Sequence, residues 1–126
     1  MSQLKLTILA NDYTIHQFPE KSIISKNVYN SHFLSISFTD NETTVICESN
    51  IEINSKKKDD EWTCIKLVGE FDLEIKGVWA KITSIVADAG SPVLAITTYD
   101  TDYFLVKTKY LINVQSLFEK RNFRFV

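Results

Sequence analysis

The 126-residue sequence is poor in the residues that mark specialised protein classes. It has 3 glycines, 2 prolines and 2 cysteines, which excludes collagen-like chains and disulfide-stapled scaffolds. It also lacks the run of about 18 apolar residues that a membrane-spanning helix needs. The N-terminus, MSQLKLTILANDYT, has neither the basic region nor the long apolar region of a signal peptide. These absences predict a globular protein of the cytoplasm.

The sequence has no excess of positive charge. Fourteen basic residues against sixteen acidic ones give a net charge of −2, so we expect neither nucleic acid nor a membrane surface as a partner. Cys47 and Cys64 stand among apolar residues without a CxxC motif, which is typical of buried thiols in a reducing compartment. His16 and His32 are isolated, and each is interpreted as structural.

The motifs of common enzymes are absent as well. There is no nucleophile elbow, phosphate-binding loop, dinucleotide fingerprint or metalloprotease helix. Asp100 and Asp102 do not have the Asp-x-Asp-x-Asp-Gly spacing of a calcium loop. We therefore predict a protein that is not an enzyme and that has no metal and no cofactor.

Periodicity is clearest in the second half of the chain. Alternation predicts strands at about residues 62–69, 92–98 and 102–107, and a short closing strand at FRFV. An apolar stripe predicts a helix over 77–89, ended by Gly90, and a second over 109–121, ended by Asn122. The order strand, helix, strand, strand, helix, strand is the ferredoxin-like βαββαβ arrangement, with both helices on one face of an antiparallel sheet.

The first half of the chain is a weaker copy of the second. Residues 4–9 and 13–18 look like strands, residues 20–30 are too short for a full helix, and a brief helix is expected at 49–56. A shift of sixty residues places Ser31 on Ser91, and Asp40 and Glu42 on Asp100 and Asp102, which favours an internal duplication. KKKDDE, at 56–61, is interpreted as a solvated connector. The predicted domains are residues 1–60, degenerate, and 61–126, complete.

The segment ITTYDTDYFLVK, at 96–107, carries two aspartates between apolar runs. Aspartate is favoured in turns because its carboxylate binds nearby backbone N–H groups. The same pair could instead contact a ligand. We expect Asp100 to cap the turn and Asp102 to be the ligand contact.

The two segments EWTCIKLVGEFDLEIKGVWAKITSIVADAG and ITTYDTDYFLVK resemble ACT-domain proteins, specifically a small bacterial group with two ACT-like units in tandem. Related units occur in the eukaryotic cytosolic arginine sensors. The resemblance covers residues 61–121 well and the first half more loosely. It implies a non-enzymatic regulatory module, with tandem ferredoxin-like units and an α+β fold, that binds an amino acid at an interface between units and commonly pairs side by side as a homodimer.

The resemblance also implies a place for the ligand, where the first strand-to-helix loop meets the second strand of a neighbouring unit. Free N–H groups at the helix start would suit an α-carboxylate, and Asp100 or Asp102 could accept hydrogen bonds from an α-ammonium. EIKG stands where many ACT domains have Pro-Gly, so the alternative is a structural dimerisation or protein-interaction module with a degenerate pocket. The candidate ligand-binding residues are Asp72, Glu74, Gly77, Val78, Thr98, Tyr99, Asp100 and Asp102.

Overall fold

The computed structural model describes residues 4–68 and 77–126. The chain divides into two compact units: a larger unit of Met1–Ala10 with Thr63–Val126, and a smaller unit of Asn11–Trp62. The predicted boundary between residues 60 and 61 is close to one end of this division. Residues 1–10, however, belong to the unit that was predicted to begin at residue 61, because the strand they contain pairs with strands of that unit. No helix of the described residues is long and apolar enough to cross a membrane.

In its described residues, 4–10, 63–68 and 77–126, the larger unit contains a five-stranded sheet and two helices. Its elements are β1 (Leu4–Ile8), β5 (Lys57–Val68, whose second half lies here), α1 (Val78–Asp88), β6 (Val93–Thr97), β7 (Asp102–Lys107), α2 (Leu111–Lys120, preceded by a 3-10 turn at Thr108–Tyr110) and β8 (Phe123–Phe125). The strand order is β8-β1-β5-β7-β6. This confirms the α+β class and the βαββαβ order over the second half, with β1 inserted between the first and last strands of the motif.

The pairing of β1 departs from the prediction of a wholly antiparallel sheet. β1 is antiparallel to β5, with Leu6 opposite Leu67, and parallel to β8, with Leu6 opposite Phe125. In the ferredoxin-like motif the last strand runs opposite to the first, so a strand inserted between them must be parallel to one of the two. The alternation of side chains within each strand could not predict this parallel pairing, because β1 and β8 are far apart in the sequence.

Both helices of the larger unit pack on one face of its sheet. Phe118 of α2 is fully buried, and the centroid of its ring lies 4.9 Å from that of Phe123 and 5.6 Å from that of Phe104. Helix α1 ends as predicted at Gly90, whose φ of 88° suits glycine, with Ser91 N–H donating to Val86 O at 3.2 Å. The remaining buried members of this core are Leu6, Ile65, Leu67, Ile82, Ile85, Val86, Ala89, Val106 and Val114.

The four strands of the smaller unit have the same order as the four motif strands of the larger one, without an inserted strand, and a different cover. Its strands are β2 (Tyr13–Phe18), β3 (Ser35–Phe38), β4 (Thr43–Glu48) and the first half of β5, in the order β3-β4-β2-β5. A 3-10 helix at Lys26–Asn30 stands where α1 would be, in accord with the prediction that this segment is too short for a full helix. Val28, Val45 and Cys47 form one buried cluster of this unit.

Two predictions for the smaller unit are wrong. Residues 56–61 are not a connector, because β5 begins at Lys57 and pairs with β2, with Lys58 opposite His16. In place of the expected helix at 49–56, the structure has a turn at 49–50 followed by chain without regular secondary structure. Ile51, Ile53 and Ser55 are half-buried and alternate with exposed Glu52 and Asn54, and this period of two, with β-branched isoleucines, favours extended chain.

Candidate functional site

The candidate site of the larger unit begins at the first turn of α1. Gly77 is the N-cap residue, with a φ of 84°, and its carbonyl accepts the first helical hydrogen bond from Lys81 N–H at 3.0 Å. No side chain of the described residues caps this helix. The first N–H groups of a helix have no partner within it. The N–H groups of the first turn of α1, which begins at Val78, are therefore available to an anionic group.

The hairpin turn between β6 and β7 is closed by a threonine. Thr98 Oγ1 donates to Thr101 O at 2.8 Å and accepts from Thr101 N–H at 3.3 Å, and Thr98 N–H donates to the same carbonyl at 2.8 Å. The side-chain hydrogen bonds recorded for this turn therefore come from a hydroxyl. The prediction that Asp100 is the turn cap is wrong, and Thr98, predicted as a ligand contact, has this structural role.

The aspartates and the tyrosine of the hairpin have separate positions. Tyr99 is fully exposed at the turn and Asp100 is exposed beside it. Asp102 is the first residue of β7, half-buried and opposite Thr97. Because the turn is closed without it, the carboxylate of Asp102 is not committed to the chain reversal.

The start of α1 and the hairpin turn lie at the same end of the larger unit. Only residues 89–92 connect α1 to β6, so β6 runs back along the helix. An eleven-residue helix is about 16 Å long, and a five-residue strand is about 17 Å long, so the far end of β6 is level with Gly77. From these lengths we expect Gly77 and Val78 to lie near the turn at 98–101. Asp72 and Glu74 lie outside the described residues.

Trp79, in the first turn of α1, is partly buried. Its ring meets that of Phe104 edge-on, with centroids 6.4 Å apart, and it packs against the core of the larger unit. These contacts are those of a partly buried core residue. Fixing Trp79 on Phe104 also fixes the first turn of α1.

A groove among the described residues contains none of the candidate site residues, and the described residues contain no metal site. A groove of about 440 Å³ is lined by Ala80, Lys81, Ser84, Ile85, Arg121 and Phe123, none of which was a candidate. Among residues 4–68 and 77–126, no group of three or more His, Cys, Asp or Glu side chains could hold a metal ion.

The hairpin turn of the larger unit has a counterpart in the smaller one. Thr39 Oγ1 donates to Glu42 O at 3.1 Å and accepts from Glu42 N–H at 3.1 Å. Ser31 Oγ and Ser91 Oγ each accept from a strand N–H, that of Glu48 at 2.9 Å and that of Lys107 at 3.1 Å. The repeated features are thus a serine before the hairpin and a threonine at its turn.

The register of this repeat corrects the sixty-residue alignment within the hairpin. Phe38 lies opposite Thr43 and Thr97 lies opposite Asp102, so equivalent positions here are 59 residues apart. Asp102 therefore matches Thr43, not Glu42. The threonines at 39 and 98 carried a sequence signal for the turn that the more conspicuous acids concealed.

Comparison with known proteins agrees with this architecture. The model of a family described as ACT domain matches residues 57–120, just over half of the chain. A comparison with curated proteins found no match.

Solved structures share the fold at low sequence identity. A protein from Agobacterium tumefaciens has a TM-score of 0.91 at 24% identity, over 100% of this chain and 94% of that one. A Vibrio cholerae protein described as a possible transport protein has a TM-score of 0.72 at 15% identity, over 94% and 89%. The regulatory subunit of aspartate kinase from Thermus thermophilus has 0.64 at 11%, over 91% and 95%.

Proposed function

Because this chain belongs to the ACT-domain family, we propose that it is a non-enzymatic regulatory module that binds a small ligand, an amino acid in the simplest case. The ligand would be held at an interface between ACT-like units, which we place where the larger units of two copies meet in a homodimer. The resemblance of the fold to the regulatory subunit of aspartate kinase is consistent with a regulatory role. Free, buried Cys47 and Cys64 fit the reducing cytoplasm in which we place the protein.

The observation that carries this proposal is the pair of complementary groups at one end of the larger unit. The uncapped first turn of α1, after Gly77, offers N–H donors to an α-carboxylate. Asp102, which the turn does not use, offers a carboxylate to an α-ammonium, and hydrogen bonds between charged groups are stronger than neutral ones. An amino acid carries both charges on one carbon atom.

A thermal-shift screen of the twenty amino acids tests the proposal. A ligand at about 100 times its Kd stabilises the folded state by about 2.7 kcal/mol, which raises the melting temperature measurably. Arginine is the first to test, since kinship with the arginine sensors stays a prediction. A flat screen at millimolar concentration would refute amino-acid binding.

Two matched variants locate the site. Asp102→Asn keeps the shape of the side chain and removes its charge, so it should abolish the ligand-dependent shift. Asp100→Asn makes the same change two residues away in the same hairpin and should leave the shift in place. Equal loss of the shift in both variants would place the ligand at the turn as a whole, against a specific contact with Asp102.

A structural dimer without a ligand is the second candidate, and the edge strand β6 favours it. Among the described strands β6 pairs only with β7, and its sequence, VLAIT, contains no charge and no proline. Such an edge is a template for a further strand unless charge blocks it. Ala95→Lys should therefore give a monomer by light scattering, whereas Ala95→Ser should remain a dimer. A wild-type monomer would exclude this candidate and also the dimer of the first proposal.

A further inference from the structure

The sheet of the smaller unit is covered by residues 49–56, which cross it as an irregular chain. Ile51 and Ile53 pack against the cluster of Val28, Val45 and Cys47. In the larger unit the second helix of the motif, α2, covers the sheet. An extended cover has no internal ladder of hydrogen bonds, so its position depends on its contacts with the sheet beneath.

Those contacts are unevenly distributed along the segment. Its beginning is fixed by two backbone bonds, Ser49 N–H to Asp12 O at 2.8 Å and Ile51 N–H to Glu48 O at 3.1 Å. Asn27 Nδ2 then donates to Glu52 O at 3.0 Å. Beyond Glu52, within the part of the chain that the structure describes, the one recorded hydrogen bond of the segment joins Ser55 Oγ to His16 Nδ1 at 2.8 Å.

His16, the partner of Ser55, is a buried imidazole. Its side chain points to the covered face of β2, the residue is 5% exposed, and Nε2 is buried without a hydrogen-bond partner among the described residues. The least costly neutral form carries its proton on Nδ1, donated to Ser55, because a buried acceptor without a partner is tolerated better than a buried donor. A second proton would have to go to Nε2, where it has no acceptor.

The charged groups around His16 do not compensate a second proton. Burial lowers the pKa of His16 most, the positive charge of Lys58 lowers it further, and the carboxylate of Asp60 raises it in part. Lys58 and Asp60 both lie on β5, and Asp60 also accepts a hydrogen bond from Thr14 Oγ1 at 3.0 Å. From β4 the residue opposite His16 is the apolar Val45.

We propose that His16 is an acid-sensitive latch, whose protonation releases residues 53–56 from the sheet of the smaller unit and opens access to Cys47. Burying an N–H group without an acceptor is costly, and lifting this end of the segment lets water reach Nε2. Opening of a segment with few backbone hydrogen bonds costs less than unfolding the whole unit. The sign follows from linkage: the open state binds more protons, so opening is favoured as pH falls below the ordinary histidine value of 6.5.

The two cysteines give the test an internal reference. Both thiols are buried, and burial raises the pKa of Cys47 to about 11 and that of Cys64 to about 12. Cys47 belongs to the cluster against which Ile53, in the segment released by the latch, packs. Cys64 belongs to β5 in the larger unit. The disulfide reagent 4,4′-dithiodipyridine stays reactive with the thiolate fraction in mild acid, because protonation of its pyridine rings activates the disulfide and the leaving pyridine-4-thione. It would label each cysteine according to its exposure, and mass spectrometry of peptides would separate the two.

We expect the labelling of Cys47 relative to Cys64 to rise as pH falls from about 7.5 to about 5.5, by at most about tenfold per pH unit for a single proton. His16→Gln keeps a donor for Ser55 but does not titrate, so its ratio should stay flat. His32→Gln is the matched control: His32 also lies in the smaller unit, but its ring is exposed and bonded to Glu48 at 2.8 Å. This variant should retain the rise.

Three outcomes would overturn the latch: a flat ratio in the wild-type protein, an equal rise in His16→Gln, or parallel labelling of both cysteines, which means global unfolding. Ser55→Ala gives a test that does not alter the histidine. It removes the tether, so the relative labelling of Cys47 should already be raised at neutral pH. An unchanged ratio in Ser55→Ala would also contradict the proposal.

Discussion

The two units share an order of strands and differ in what covers them. In each, the first strand of the motif pairs with the third, and a hairpin joins the second and third; the fourth strand pairs with the first directly in the smaller unit and through β1 in the larger one. The larger unit covers its sheet with two helices, whereas the smaller one uses a 3-10 turn and an extended segment. The sheet order therefore does not depend on helical cover. Side-chain periodicity in the connections decides whether a helix or an extended chain is formed.

The difference in cover is also a difference in polarity. Among the residues that the structure describes, the buried polar residues of the larger unit are Thr63 and Ser91, and those of the smaller unit are Thr14, His16, Thr43 and Glu48. Helices satisfy their own backbone and present an apolar stripe, while an extended cover relies on side-chain partners from the sheet. We expect the smaller unit to respond to polar substitutions and pH, and the larger unit to changes of volume.

The largest expected effect comes from a cavity in the larger unit. Phe118→Ala removes a ring that packs against Phe104, Phe123 and Phe125 and should lower the free energy of unfolding by about 3 to 5 kcal/mol. Val45→Ala, in the core of the smaller unit, should cost about 2 kcal/mol because it removes two methyl groups. Denaturant unfolding measures both. A larger cost for Val45→Ala would mean that the smaller unit is the better packed.

The next effect tests the polarity of the smaller unit. Glu48 is 3% exposed and accepts from His32 N–H at 2.5 Å, His32 Nδ1 at 2.8 Å and Asn11 Nδ2 at 2.8 Å. Burial raises the pKa of Glu48, but these hydrogen bonds lower it more, so the net pKa lies below the ordinary value. Glu48→Gln should cost about 3 kcal/mol at neutral pH, because donors that face the carboxylate lose their partner.

The pH dependence of Glu48 has a definite sign. A carboxyl group with a lowered pKa contributes stability above its unfolded value, and this is lost as pH falls through the folded value. Unfolding curves of the wild type should therefore show a loss of stability in acid that Glu48→Gln lacks. An equal acid loss in the variant would assign it to other carboxylates.

The smallest effect tests the likeness of the two hairpins. Thr39→Val and Thr98→Val remove the same hydroxyl from equivalent turns, and each should cost about 1 kcal/mol, as for a lost hydrogen bond. Asp100→Ala, in the same turn as Thr98, should cost less than about 0.5 kcal/mol. Thermal unfolding is sensitive enough for this comparison. Unequal losses of stability for the two threonine variants would show that the turns, although alike in geometry, contribute differently to the stability of the protein.

The elements with an apolar period could be predicted from the sequence. Helices α1 and α2 and the hairpin of β6 and β7 lie within one or two residues of their predicted bounds, because one face of each is buried and the other is not. The first five residues of β5 were missed for the opposite reason. All five are charged and exposed, so their side chains show no alternation between apolar and polar. This part of the strand is defined by its pairing with β2.

The candidate site could be predicted only in part. Gly77 and Val78 occupy the expected helix start, and Asp102 begins its strand. The role of the turn threonine was missed, because aspartate and threonine can both close a turn and only the hydrogen bonds distinguish them. The assignment of β1 to the larger unit could not be derived either, since it depends on a pairing between residues about sixty positions apart.

The hydrogen bond that joins the chain after β1 to β5 has a consequence for how the protein could be shortened. Leu9 N–H donates to Cys64 O at 2.9 Å, and Ile8 lies opposite Ile65, so the two points at which the chain leaves and re-enters the larger unit are neighbours. In chain order, the smaller unit is therefore inserted between two neighbouring strands of the larger one. A two-residue turn could replace residues 11–62 and leave an uninterrupted hairpin of β1 and β5, whereas a cut between residues 60 and 61 would divide a strand.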